Sequence, residues 1–514
     1  MAVVAAVAAG LMVVATGAAP ATAGAAAAGP PGTAVASAGE LDAAEAYLRT
    51  YRARIKAPGM AYAVVRGDRI LRQGTWGVDG DGRTMTARTP FVLGSTSKSF
   101  TALAVMQLVR AGRVDLDAAA RAYLPWLRLG EERTARTVTV RQLLTHTSGL
   151  PAVSSTTLTD RYDNRPGGLA RSVRDLAALR PTGGRNHTGG RDYRYSDANY
   201  MILGALVEHV TGETFGAYLR RHVLDPLAMT HSAATADEAR TAGVPAGHRY
   251  YLGRAQRHAA PFDTAGVPYG FLAAGLDDLT HYAIAQLNGG RYRGSQVLDA
   301  EGVEQLHTGT ADTGYGTYAF GWQDTTLSGV GTRAVWHAGA APNYFSHLVL
   351  LPESDLAVVV LTNVYGLAMD EPLTAGAFNV ARILHGAPPA AAAADPLFGW
   401  VLAGLLGVAA LLCGLLLWSL VAVCRRRGPR RRIVAATAAW IGGCGLAATA
   451  AAWAVPTVWG AGLAKVQLWA PDIGHAILAV VVLAGALGLT RLGMGAQALR
   501  STGRPPANPT PTHG

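Results

Sequence analysis

Phe91-Val-Leu-Gly-Ser-Thr-Ser-Lys-Ser-Phe100 is the stretch on which the reading of this chain turns. The run Thr101 to Ala111 that follows it is strongly helical in character. Ser95 therefore falls at a helix N-terminus, and Lys98, three residues on, shares its face. A helix start offers unpaired backbone NH groups and the positive end of the helix dipole, where an oxyanion can form. Lysine is scarce in this chain: Lys56, Lys98 and Lys465 stand against 42 arginines. An amine kept where arginine is the habit points to a group that must release its proton, which arginine cannot do. Ser-x-x-Lys is a short pattern, but here it occurs once, opens a helix and is preceded by Gly94.

Phe-x-Leu-Gly-Ser-x-Ser-Lys-x-Phe resembles the active-site segment of the penicillin-recognising serine hydrolases, which include class C β-lactamases, DD-carboxypeptidases, D-aminopeptidases and related esterases. Leu143-Leu-Thr-His-Thr-Ser-Gly-Leu-Pro151 resembles a second landmark of that superfamily, with His146 read as a residue that fixes its loop. Tyr193-Arg-Tyr-Ser-Asp-Ala-Asn-Tyr-Met-Ile-Leu-Gly204 resembles the Tyr-x-Asn region and makes Tyr195 the second-motif tyrosine, with Asp197 where Asn is usual. A literal Tyr162-Asp163-Asn164 is set aside, because it lies in a Gly/Pro-containing loop whereas Tyr195 precedes the apolar helical run Met201 to Val210. The third motif, Lys-Thr-Gly in many β-lactamases, is here His337-Ala-Gly339, a variant found among the carboxypeptidases, aminopeptidases and esterases.

The resemblance spans about Leu41 to Leu384. It implies that Ser95 is the nucleophile, that Lys98 and Tyr195 share the proton transfer, and that the NH groups of Ser95 and Ala340 hold the oxyanion. Asp197, His337 and Gly339 are then expected to face the substrate, with no metal and no cofactor. A carboxylate at Asp197 would keep Lys98 protonated and favour Tyr195 as base, since a tyrosine near cations ionises more easily. His337 is expected to be mostly neutral at pH 7 and to hold anionic substrates better once it becomes an imidazolium below about pH 6.5.

Working outward, Leu41 to Ala53 has helical spacing, and Met60 to Gly77 reads as a hairpin turning at Arg66-Gly-Asp-Arg69. A helix-rich middle follows from Ser95 to about Ala285. Strands return at His347 to Leu351 and Leu356 to Asn363, before a last helix over Leu373 to Leu384. Strands at both ends of a helical insert imply an α+β fold whose antiparallel sheet is closed by sequence-distant segments. With the resemblance, this becomes a β-lactamase-like sheet flanked by helices, with a helical subdomain.

The 514 residues carry 45 Lys+Arg and 34 Asp+Glu, a net charge of +11. From Leu397 onward there are nine Arg, Lys465 and a single acid, Asp472, so +9 of that charge lies there and only +2 in the rest. The larger part has no basic run of the kind that phosphate binding needs, which excludes a nucleic-acid partner. Cys413, Cys424 and Cys444 all lie in the apolar C-terminal part, so the larger part has no disulfide framework or cysteine metal site. No Gly-x-Ser-x-Gly occurs, which disfavours an α/β-hydrolase, and no two His stand four apart as in a zinc-binding helix.

Three uncharged segments, Leu397 to Cys424, Ile433 to Ala464 and Ile473 to Thr490, are each long or apolar enough to span a bilayer. The loop Arg425 to Arg432 holds six arginines, which the positive-inside rule places in the cytoplasm. The first 29 residues read as an exported signal or anchor. The expected organisation is thus 1–29 signal or N-terminal anchor, 30–40 linker, 41–386 extracellular hydrolase domain, 397–490 three spans of the plasma membrane, and 491–514 cytoplasmic tail. The expected function is acyl-enzyme hydrolysis of a β-lactam, D-amino peptide or ester. The alternative is a membrane-bound sensor or accessory protein that binds penicillin or peptidoglycan without turnover. The partners implied are a small-molecule or peptidoglycan-type peptide substrate and the membrane; protein partners are left open.

Overall fold

The computed structural model describes residues 36–152, 158–179, 192–421, 429–458 and 462–501, in two compact units that divide at Asp395 and Pro396. The larger unit opens with α1 (Ala38–Arg54), which a capping box starts: Glu40 N–H donates to Ser37 Oγ at 3.2 Å and Ser37 N–H to Glu40 Oε2 at 2.7 Å. The hairpin β1 (Gly59–Arg66) and β2 (Arg69–Gly77) follows as the sequence predicts. A short 3₁₀ turn, Gly94–Thr96, runs directly into α2 (Ser97–Arg110). The helical insert includes α3 (Asp197–Thr211), ended by Gly212 in the left-handed conformation, and α4 (Leu276–Leu287). Then come β3 (Ala311–Asp312), β4 (Thr317–Tyr318), β5 (Gln323–Thr326), β6 (Arg333–Ala341), β7 (Tyr344–Leu351), β8 (Leu356–Thr362) and α5 (Asp370–Ile383).

These eight strands form one antiparallel sheet in the order β2-β1-β8-β7-β6-β5-β4-β3. The first hairpin is joined to the last strand, with Met60 opposite Thr362 and Arg66 opposite Leu356. β7 and β8 are buried at every residue, because α4 packs on β1 and β8 while α5 packs on β7 and β8. That double cover explains why Leu356-Ala-Val-Val-Val-Leu361 is apolar without alternation.

Several boundaries differ from the sequence reading. α1 begins inside the stretch assigned to the linker, because Ser37 and Glu40 cap each other. At the other end, Ala390 exchanges backbone hydrogen bonds with the Asn379 side chain (2.7 and 2.9 Å) and Asp395 N–H donates to Ala368 O (2.9 Å). The Ala-rich stretch past Gly386 is therefore bound to the larger unit.

In the second unit, Pro396–Val421, Arg430–Ala454 and Pro471–Arg500 are helices long and apolar enough to cross a membrane. The second passes through a π turn at Ala450–Ala454 directly into a further helical turn, Val455–Val458. The third runs past Thr490 and includes Arg491, expected in the tail but buried, with its guanidinium over the rings of Trp440 (4.1 Å) and Trp418 (4.9 Å). Residues 1–29, Cys424 and residues 425–428 of the arginine loop lie outside the described residues.

Candidate active site

The site forms where the 3₁₀ turn at Ser95 meets the edge of β6. β5 pairs with β6 only from Arg333 to Trp336, so beyond Trp336 that edge is left to other partners. The turn takes it: Thr96 Oγ1 donates to His337 O at 3.2 Å, and Ser346 Oγ, on β7, donates to Leu93 O at 2.6 Å. Two glycines permit this approach. Gly94 has φ +53°, and a Cβ there would fall 2.4 Å from Ala340 N. A Cβ on Gly339 would fall 1.9 Å from Leu93 O and 2.8 Å from Ser95 N. The backbone nitrogens of Ser95 and Ala340 are thereby drawn to one place, the pair expected to serve as oxyanion donors.

Lys98 is fully buried, and its amine hydrogen-bonds to two oxygens and pairs with a carboxylate. Nζ lies 2.9 Å from Ser95 Oγ, 2.8 Å from Tyr269 O and 2.6 Å from Asp197 Oδ1. Tyr269 sits in a π turn, Val267–Phe271, so this acceptor is a backbone carbonyl that no sequence pattern announces. Burial pulls the Lys98 amine below its ordinary range, while the charges of Asp197 and Asp160 pull it back up. Lys98 also lies over the ring of Tyr195, 4.8 Å from its centre.

Tyr195 departs from expectation. Burial, then the Asp197 charge, push its phenol well above the ordinary value, and a hydrogen bond with Ser95 only partly offsets them. The cation that was to ease its ionisation is already neutralised by Asp197. Asp197, the first residue of α3, is itself buried and turned to Lys98, so its charge is committed to the lysine before any substrate arrives.

His337 also differs. Its ring is buried, and burial followed by the Lys98 charge pushes its pKa down to about 3. Burial thus works against the imidazolium expected below about pH 6.5. Its Nδ1 lies 2.6 Å from Ala338 O and its Nε2 3.1 Å from Tyr318 Oη, which fits an Nδ1–H tautomer that accepts from the tyrosine. Tyr318 itself went unnoticed in the sequence, although the run Tyr315-Gly-Thr-Tyr-Ala-Phe-Gly-Trp322 was a signal for an aromatic wall. It stands edge-on to Tyr195 at 6.2 Å.

His146 behaves as the loop-fixing residue foreseen. Its carbonyl accepts from Arg194 N–H (2.8 Å) and its Nδ1 from Ser196 N–H (3.1 Å), which grips the backbone on both sides of Tyr195. The rejected Asn164 instead ties its own loop to Phe262 O and Thr264 N. Among the described residues there is no cluster of three or more His, Cys, Asp or Glu that could hold a metal.

The sequence model described as Beta-lactamase matches residues 44–381, the whole of this sheet and its helical insert. The chain belongs to the beta-lactamase family. Penicillin-binding protein 4 of Amycolatopsis lactamdurans is 33% identical over 325 residues, which cover 60% of this chain and 81% of that protein. Protein flp of Staphylococcus aureus is 24% identical over 309 residues, 60% of this chain and 59% of its own length, so this family member matches little more than half of the flp proteins. The octameric penicillin-binding protein homologue from Pyrococcus abyssi shares the fold, with a TM-score of 0.59 at 23% identity over 70% of this chain and 81% of that one. The chain is thus a member of the penicillin-recognising serine hydrolase superfamily, with an α+β β-lactamase-like domain and three candidate membrane helices.

Proposed function

We propose that this chain is a membrane-anchored serine hydrolase that works through an acyl-enzyme at Ser95. The observation that carries the reading is the contact between Ser95 Oγ and the buried Lys98 amine at 2.9 Å. Once Lys98 has released a proton, its amine takes the proton of Ser95 as Oγ bonds to the acyl carbon. The carbonyl oxygen takes up the displaced electron pair and is held by the NH groups of Ser95 and Ala340, each donor being typically worth about 3 kcal/mol. Tyr195 is suited to relay a proton, giving its own to the leaving group as it takes up the one that Lys98 received from Ser95, so that no phenolate is left behind. Water then releases the acyl group along the reverse path.

The substrate is a β-lactam, a D-amino peptide or an ester, and the site chemistry orders these. A neutral, buried His337 supplies no fixed cation where many β-lactamases have a lysine, so a substrate carboxylate gains little there. Assayed as the full chain in detergent, p-nitrophenyl esters and D-amino acid amides should be turned over with higher kcat/KM than nitrocefin. Nitrocefin as the best substrate would reverse that order. Stable labelling by a fluorescent penicillin with no turnover of any of the three would favour the non-hydrolytic sensor instead.

The topology follows from the arginines. Arg425 to Arg432 are read as cytoplasmic and the hydrolase domain as external. A protease added to intact cells should remove the fragment that contains Tyr195 and leave the arginine loop uncut. Cleavage within the loop would mean the opposite orientation.

A further inference from the structure

The proton on Lys98 has an unusual keeper. The amine is fully buried, and its nearest partner is a carboxylate at 2.6 Å whose own side chain is only 8% exposed. A lone lysine at this depth would shed its proton readily, because burial disfavours the charged form. An opposite charge in contact works the other way, typically by about 1–3 pKa units.

The other groups that face the pair do not compete for this proton. Tyr195, partly exposed, and Tyr200, buried, lie 4.8 Å and 5.8 Å from Nζ by ring centre, and Tyr269 is buried as well. Burial drives Tyr195, Tyr200 and Tyr269 up and keeps them protonated. His146 and His337 are driven down and stay neutral, burial first and the Lys98 charge next. Asp160 adds a second negative charge that acts in the same direction as Asp197.

We infer that Asp197 sets the pH at which this site acylates: by holding the proton on Lys98, it makes release of that proton the condition for drawing the proton from Ser95. The inference rests on the reading of Ser95 as nucleophile and Lys98 as its base. Asp197 acts through Lys98 and is in that sense a positioning residue. In the active form, the Lys98 proton has left to solvent and the amine lone pair receives the Ser95 proton while the Oγ–C bond forms. Nothing is oxidised or reduced.

The test is the rate at which a fluorophosphonate labels the detergent-solubilised full chain, measured from about pH 5 to pH 10. The parent rate should climb along an acid limb as Lys98 gives up its proton. In Asp197→Asn the same limb should lie at least about one pH unit lower, so the variant labels about tenfold faster than the parent at the foot of the parent's limb. Asp197→Glu keeps the charge and should retain the parent's profile. Asp197→Ser serves as a second neutral variant, because serine is also suited to the start of a helix.

Superimposable limbs in the parent and either folded neutral variant would overturn the inference. So would loss of the folded domain in both neutral variants with Asp197→Glu intact, which would make the pair structural. Ser95→Ala separates this failure from failure of the site reading: if it is unlabelled, Ser95 remains the nucleophile whatever Asp197 does. If it still labels, the site reading itself falls.

Discussion

Ser95→Ala abolishes turnover and covalent labelling while the domain keeps its melting transition. This is the largest effect expected, a loss on the order of 10⁴-fold or more, since removing an acyl-forming serine leaves only binding and oxyanion stabilisation. The specificity of the prediction comes from the neighbouring hydroxyls. Thr96 Oγ1 is 2.8 Å from Ser346 Oγ, Ser97 Oγ accepts from Leu272 N–H at 3.2 Å, and Ser99 Oγ donates to Thr96 O at 2.8 Å and accepts from Tyr282 Oη–H at 3.0 Å. All three side chains are buried, and Ser95 alone among the four is partly exposed. A serine committed to the fold cannot take over from one that is poised, so activity should not be rescued nearby. Stability should change by less than about 1 kcal/mol, as at other partly exposed positions.

Gly339→Ala should cost about 10²-fold in kcat/KM with a measurable drop in melting temperature. The added methyl would meet Leu93 O at 1.9 Å, Thr96 N at 2.7 Å and Ser95 N at 2.8 Å. These are backbone atoms on both sides, so no side chain can swing away. β6 and the Ser95 turn must separate, and a displacement of about 1 Å at the reacting centre is worth about that factor in rate. Overpacking of this kind also costs typically about 1–3 kcal/mol of stability. Parallel kcat/KM and thermal melts of the parent and Gly339→Ala check it: unchanged activity would mean that the two backbone NH groups are not the oxyanion donors.

Both predictions depend on features that were unequally legible in the sequence. Ser95, Lys98 and the helix they open were plain, because one backbone element carries them and the i, i+3 spacing fixes their common face. The closed sheet was legible in outline, from apolar strands at both ends of the domain. The start of α1 could also have been read, since Ser37-Ala-Gly-Glu40 has the pattern of a capping box. The electrostatics could not. Whether Asp197 faces a substrate or Lys98 depends on where α3 packs against α2, and that distance has no local signature. The same holds for His337, whose neutrality follows from burial by elements far away in the chain. Tyr269 contributes a carbonyl, which every residue has, so its identity gave no hint. Tyr318 was within reach as part of an aromatic run, but only the fold puts its hydroxyl on His337.

The most direct test of the account is the site of the covalent adduct. The full chain, incubated with a fluorophosphonate, is digested with trypsin and the adduct located by fragmentation mass spectrometry. Cleavage after Arg88 and Lys98 yields the peptide Thr89 to Lys98, which contains Ser95, Thr96 and Ser97 and excludes Ser99. One adduct per chain, on Ser95, is the result this account predicts. An adduct on Ser97, on Ser99 or on a different peptide, or turnover with no adduct at all, would contradict it.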